Sequence, residues 1–161
     1  MRAWHVGPRH DVLQRLVGLY KFERAKAAYK TLGDLLLSVL PVLPEGAVII
    51  PVPTVAGHIR ERGYDHAALL AGYVAKERHV VYSSVLCRQT STTQRHASAM
   101  TRRQQAQVAF VIDGPIIPSV PYVLVDDVVT TGASIKRCAQ LLRDAGASEV
   151  WVAVVARQPL D

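Results

Sequence analysis

The chain has 161 residues, half of them apolar, which suits one compact domain spanning 1–161 and leaves little room for a second folded unit. No stretch approaches the ~18 uninterrupted apolar residues of a membrane span, and Met1 to Asp11 lacks the apolar block of a secretory signal. A cytoplasmic protein without a membrane span is expected. The formal charge of +6 excludes neither a nucleic acid nor a small phosphate as partner. Cys87 and Cys138 form no CxxC pair, which argues against a zinc ribbon and a disulfide framework and leaves two reduced, partly buried thiols.

Apolar residues Ala25, Ala28, Leu32, Leu35, Leu36, Val39 and Leu40 recur at helical spacing, so a helix is expected over about Phe22 to Leu40, within an N-terminal helical segment of about 11–40. Pro41 and Pro44 end it. The core should run over about 47–157. "AVIIPVP" (Ala47 to Pro53) reads as a strand buried on both faces. A loop with Arg60, Arg62 and Gly63 follows, then a helix near His66 to Lys76. "VVYSSVL" (Val80 to Leu86) is a second strand with a polar centre. "RQTSTTQRHAS" (Arg88 to Ser98) has no apolar period and reads as an exposed, mobile loop. A brief helix near Thr101 to Ala106, a strand near Val108 to Ile112 and the connector "GPIIPSVP" come next. "YVLVDDVV" (Tyr122 to Val129) is the strongest strand signal. Ile135, Cys138, Ala139, Leu142 and Ala145 then line one helical face that stops at Gly146, and "VWVAVVA" (Val150 to Ala156) closes the core. Alternating helices and continuous apolar strands predict a single α/β domain, a mostly parallel sheet with helices on both faces.

The segment between Glu77 and Asp113 holds no acidic residue, but it does hold Arg78, Arg88, Arg95, Arg102 and Arg103 with His79 and His96. It should attract anions, although charge alone leaves nucleic acid and small phosphate open. In open α/β sheets ligands collect at the carboxyl ends of strands, where the next helix offers N–H groups and its positive end. Asp126 and Asp127 end the strongest strand, and Val128, Val129, Thr130, Thr131, Gly132, Ala133 and Ser134 follow them. Small residues let backbone approach a phosphate, hydroxyls add uncharged donors, and the acids can accept from sugar hydroxyls. The ligand this suggests is a ribose 5-phosphate. Two acids at a strand end also open response-regulator receiver domains, but there they lie near the N-terminus; a helix cap or surface turn is the purely structural reading. His58, His66 and His96 read as surface or packing residues, and Tyr64 as a packing aromatic at least as readily as a stacking one.

"VLVDDVVTTGAS" (Val123 to Ser134) resembles the signature of type I phosphoribosyltransferases, which bind 5-phosphoribosyl-1-pyrophosphate (PRPP). "PVP" at Pro51 to Pro53, "RERGYDHA" at Arg60 to Ala67, "TTQ" at Thr92 to Gln94 and "RRQQAQVAF" at Arg102 to Phe110 resemble its ComF-type, competence-associated branch over about Leu16 to Arg157. That branch often carries an N-terminal four-cysteine zinc ribbon, which this chain lacks. It usually has Asn-Gln where this chain has Asp65-His66, and Asn where it has Gln105.

The resemblance implies the type I phosphoribosyltransferase fold, with Asp126 and Asp127 on the ribose hydroxyls as the catalytic pair and Val128 to Ser134 around the 5-phosphate. Mg²⁺ is implied through PRPP, near Asp126 and Asp127. Pro53, Thr54, Arg60 and Arg62 correspond to the pyrophosphate loop, and Arg95 and Arg102 to anion contacts in a lid. The implied reaction transfers phosphoribose to an unidentified base or nucleotide acceptor with release of pyrophosphate. The other implied function is a non-catalytic module that senses PRPP or a nucleotide and works through partners in DNA uptake or recombination. A homodimer and contact with proteins that process single-stranded DNA are expected on the same ground.

Overall fold

Continuous Val/Ile/Leu strands need cover on both faces, and the chain supplies it with helices that connect parallel strands of one sheet. The computed structural model describes residues 1–22, 26–88 and 110–158. In chain order the elements are β1 (Arg2–Pro8), α1 (Asp11–Phe22), α2 (Ala28–Val39), β2 (Val48–Pro51), α3 (Ala56–Arg62) and α4 (His66–Arg78). Then come β3 (Val81–Tyr82), β4 (Leu86–Arg88), β5 (Phe110–Ile112), β6 (Pro121–Val129), α5 (Ala133–Asp144) and β7 (Glu149–Arg157). Five strands form one sheet in the order β1-β7-β6-β2-β3, and every neighbouring pair is parallel. β4 and β5 form a separate antiparallel pair, with Cys87 opposite Val111.

The period of two along β6 divides the core into two layers. Val123 and Val125 pack with Leu36, Leu70 and Val74 on the face covered by α1, α2 and α4. Tyr122 and Leu124 pack with Ile135, Cys138 and Leu142 on the face covered by α5. Burying a side chain such as Leu142, which is wholly enclosed, stabilises by roughly 1.5–3 kcal/mol. These layers are the parallel α/β sandwich expected from the sequence.

β2, β6, β7, α4 and α5 lie where the sequence puts them, within a residue or two at most ends. Four expectations differ. The N-terminal helical segment is two helices, and α2 begins at Ala28 rather than Phe22. "VVYSSVL" is not one strand: β3 pairs with β2, Ser83 then donates to the Ile49 carbonyl at 2.9 Å, and the chain leaves the sheet before β4. Its polar centre marks that departure. The segment with Arg60 and Arg62 is a short helix, α3, ended by Gly63 at φ 82°, a left-handed position that glycine takes without penalty. β1 was not expected at all. It is an edge strand in which Trp4 and Val6 pack inward while Ala3 and His5 are exposed, so its apolar content is too low to stand out. The loop after Arg88, the helix near Thr101 to Ala106 and the first part of the strand near Val108 lie outside the described residues. No described helix is long and apolar enough to cross a membrane.

Candidate functional site

β6 carries Asp126 and Asp127 to the carboxyl edge of the sheet, where strand geometry turns them to opposite faces. Asp126 continues the row of Tyr122 and Leu124, and Asp127 the row of Val123 and Val125. Both still line one cleft of about 340 Å³, together with Val52, Pro53 and Thr54 after β2, Arg62 of α3, His66 of α4 and Thr130 and Ser134 beyond β6. Next to it, Asp126 and the run Val128 to Ile135 enclose a recess of about 60 Å³. Gly132, at φ 73°, is the left-handed N-cap of α5, and its carbonyl accepts from Lys136 N–H at 2.8 Å to open the helix. The loop therefore wraps backbone around the recess at the positive end of a helix, an arrangement suited to one phosphate group.

Asp127 is 1% exposed and is held from two sides. Lys21 Nζ, at the end of α1, lies 2.9 Å from Oδ1, and His66 Nε2 lies 3.5 Å from the same atom. Burial opposes ionisation of Asp127, but the His66 N–H and the Lys21 ammonium beside it together outweigh that penalty and hold this carboxyl below the usual carboxylate range. Asp126 shifts the other way, raised by desolvation and then by the neighbouring Asp127 charge. Its side chain remains partly open to the cleft, and one carboxylate oxygen accepts from Asp127 N–H at 2.8 Å. Between two adjacent acids the charge thus settles on Asp127, and Asp126 is the one that gains most from an incoming cation or donor.

Further contacts fix the walls. Arg62 donates from Nη1 to His66 Nδ1 at 2.8 Å. Arginine has only donors, so Nδ1 must present its lone pair and the ring hydrogen sits on Nε2, facing Asp127. The Tyr20 hydroxyl donates to the His66 carbonyl at 2.7 Å, and the Tyr64 hydroxyl donates to the Tyr20 carbonyl. These bonds dock the end of α1 onto the start of α4. Asp65 accepts from Ala68 N–H at 3.1 Å as the N-cap of α4 and from the Thr54 hydroxyl at 2.9 Å, which ties the loop after β2 to the same helix.

Ligand atoms of His66, Asp126 and Asp127 lie within 4.8 Å of one another. The tautomer set by Arg62 points an N–H rather than a lone pair at the acids, and Lys21 covers Asp127 Oδ1. A hard divalent cation would therefore find Asp126 here and would take its other oxygens from the ligand, which is how Mg²⁺ commonly binds with phosphates.

Of the residues singled out in the sequence, Asp126, Asp127, Pro53, Thr54, Arg62, Val128, Thr130 and Ser134 meet at the cleft, and Val129, Thr131, Gly132 and Ala133 complete the adjoining recess. Arg60 is exposed, and the cleft lining includes Arg62 in its place. Arg95 and Arg102 lie outside the described residues. Lys21 and Arg88 also line the cleft without standing out as site residues in the sequence, and so do His58 and His66, whose sequence setting reads as surface or packing. Arg88 ends β4, with its guanidinium 5.0 Å from the Phe110 ring centroid, and so stands in both the cleft and the β4–β5 arm. Its only signal in the sequence is the absence of acids around it.

Residues 66–161 match the phosphoribosyl transferase domain. The chain is 34% identical to Competence protein F of Haemophilus influenzae, over 94% of this chain and 71% of that protein. It is 33% identical to DNA utilization protein YhgH of Salmonella typhi, over 90% of this chain and 67% of that one. Among solved structures, glutamine PRPP amidotransferase from B. subtilis superposes with a TM-score of 0.55 at 20% identity, covering 77% of this chain and 25% of that one. Adenine phosphoribosyltransferase from Thermoanaerobacter pseudethanolicus gives 0.50 at 12% identity, with 82% of each chain covered. At these identities the structural likenesses speak for the fold alone. The parallel sheet, the acid pair at the carboxyl end of β6 and the matched sequence together place this chain in the type I phosphoribosyltransferase family, in its ComF-type branch.

Proposed function

We propose that the cleft binds PRPP with Mg²⁺ and transfers its phosphoribosyl group to a nitrogen acceptor. The observation that carries this reading is the continuity of the acid-lined cleft with a phosphate-sized recess at the start of α5. Ribose hydroxyls would donate to Asp126 and to the unpartnered edge of Asp127, whose Oδ2 has no hydrogen-bond partner among the described residues. The 5-phosphate would take the loop from Val128 to Ser134, and the pyrophosphate the opposite wall of Pro53, Thr54 and Arg62. In the reaction a C–N bond forms at the anomeric carbon as its C–O bond to pyrophosphate breaks. The electron pair leaves with pyrophosphate, and the acceptor nitrogen gives its proton to solvent. Such a step calls for stabilising the departing charge rather than for a covalent nucleophile. Bound Mg²⁺ would supply part of that stabilisation by neutralising pyrophosphate oxygens; this chain's residues would orient the sugar and hold the anion.

The test is calorimetry with PRPP and Mg²⁺, followed by a pyrophosphate-release assay across a panel of bases. Binding in the micromolar range that disappears in the Asp126→Asn/Asp127→Asn protein supports the site, and no heat from the unaltered chain would refute it. A second reading is favoured by the names of the relatives, which speak of competence and DNA utilization rather than of transfer. In it the cleft senses PRPP or a nucleotide, and the protein acts through partners in DNA uptake. PRPP binding without pyrophosphate release against any base would support that reading over the enzyme.

A further inference from the structure

We propose that Lys21 is a ligand-binding residue of this cleft, and that its ammonium grips the pyrophosphate of PRPP while remaining anchored on Asp127. The inference rests on the PRPP reading above and extends the site to a helix that lies outside residues 66–161, the span matching the transferase domain.

The argument starts from how Lys21 is placed. Tyr20 is fully buried and bonds the first residue of α4, so the residue after it is fixed at the mouth of the cleft rather than left on a fraying helix end. The Lys21 side chain is 18% exposed and lines the cleft beside Val52, Pro53 and Thr54. An ammonium carries three donors. Asp127 Oδ1 lies 2.9 Å from Nζ as an ion pair, and no other described acid lies within ion-pair distance of Lys21. Removing an ammonium wholly from water costs several kcal/mol that an ion pair need not repay, and the exposure that Lys21 keeps leaves donors turned to the cleft it lines. Lys21 lies at the surface of the cavity that holds the acid and is not among the residues that line the phosphate recess.

The charge pattern of the cleft points to the same ligand. Lys21, Arg62 and Arg88 line it from α1, α3 and β4, whereas among the described residues the acids in the lining are the two at the end of β6. A ligand that fits must therefore present hydroxyls to the acids and concentrated negative charge to the cations beside them. Ribose 5-phosphate satisfies the acids and the recess but brings no second anion to these side chains; a pyrophosphate on the anomeric carbon supplies one.

The experiment separates this role from simple support of the fold. Dissociation constants for PRPP and for ribose 5-phosphate are measured with Mg²⁺ on the full chain, on Lys21→Met and on the charge-balanced Lys21→Met/Asp127→Asn protein. The readout is the ratio of the two affinities, in which damage common to both ligands, including any loss at the ribose, cancels. The proposal expects the preference for PRPP to fall by roughly tenfold to a hundredfold in both variants, the range of one hydrogen bond between charged groups, with Lys21→Arg retaining most of it. Equal weakening of both ligands, or an unchanged ratio in the double variant, would overturn the role of Lys21 and leave the PRPP site standing. Failure of the unaltered chain to bind either ligand would overturn both.

Discussion

Replacing Lys21 by Met removes the one ammonium that faces a nearly inaccessible carboxylate, and the cost can be worked out from the geometry. At 2.9 Å and an effective dielectric of 20 the pair's gross attraction is about 6 kcal/mol. Desolvation of the two ions offsets much of that when the pair forms, but removing one partner alone strands the other, at about 3–5 kcal/mol. His66 still presents its N–H to Asp127, so Lys21→Met should lose about 3 kcal/mol, the lower end of that range. Lys21→Met/Asp127→Asn removes both charges and should recover most of the loss. The pH dependence has a definite sign. In the native chain the folded Asp127 carboxyl is held below its unfolded range, so its contribution is present above that range and is lost as pH falls through the folded value. Without Lys21 burial dominates and the folded value rises, so the variant gains stability on acidification and the gap between the two proteins closes. Urea unfolding at several pH values reads both effects. A Lys21→Met cost below about 0.5 kcal/mol, the range of ordinary surface substitutions, or a gap that stays constant from neutral pH to below pH 4, would refute the reasoning.

Two further outcomes follow from the packing. Burial pushes the Cys138 thiol up to about 12, and Cys87, less enclosed, is raised by burial and by Asp113. A thiol reagent at pH 8 should therefore modify Cys87 slowly and Cys138 only after denaturation; two thiols reacting at similar rates in the native protein would contradict the layer assignment. A Cβ at Gly33 would lie 2.2 Å from Tyr73 Cδ1, and the Tyr73 hydroxyl is tied to Asp34 at 2.6 Å. Gly33→Ala should cost about 1–3 kcal/mol in overpacking, more than the helix propensity of up to about 1 kcal/mol that alanine returns. Thermal unfolding checks it, and an unchanged or higher midpoint would show that α2 and α4 are not in close contact there.

What the sequence reveals depends on how far each signal reaches along the chain. β2, β6 and β7 could be read because burial on both faces leaves continuous apolar runs. The acid pair and the small residues after it could be read because the whole recess comes from one strand-to-helix turn. β1 could not, since an edge strand packs only alternate residues and Arg2, Ala3 and His5 stay exposed. Lys21 was hidden for a different reason. On a single amphipathic helix it looks like any solvated charge, and its partner stands at the far end of the sequence on β6. His66 reads in the sequence as a surface or packing residue; it is buried, and only the fold shows that its imidazole links Arg62 to Asp127.

That Asp126 and Asp127 leave β6 toward opposite sides has a bearing on when this protein becomes competent. Each acid depends on a different stratum of helices for its surroundings, so neither half of the molecule can assemble a working pocket unaided. Capture of a ligand should then report completion of the entire architecture, and saturation should raise the global unfolding transition by mass action instead of tightening one local segment.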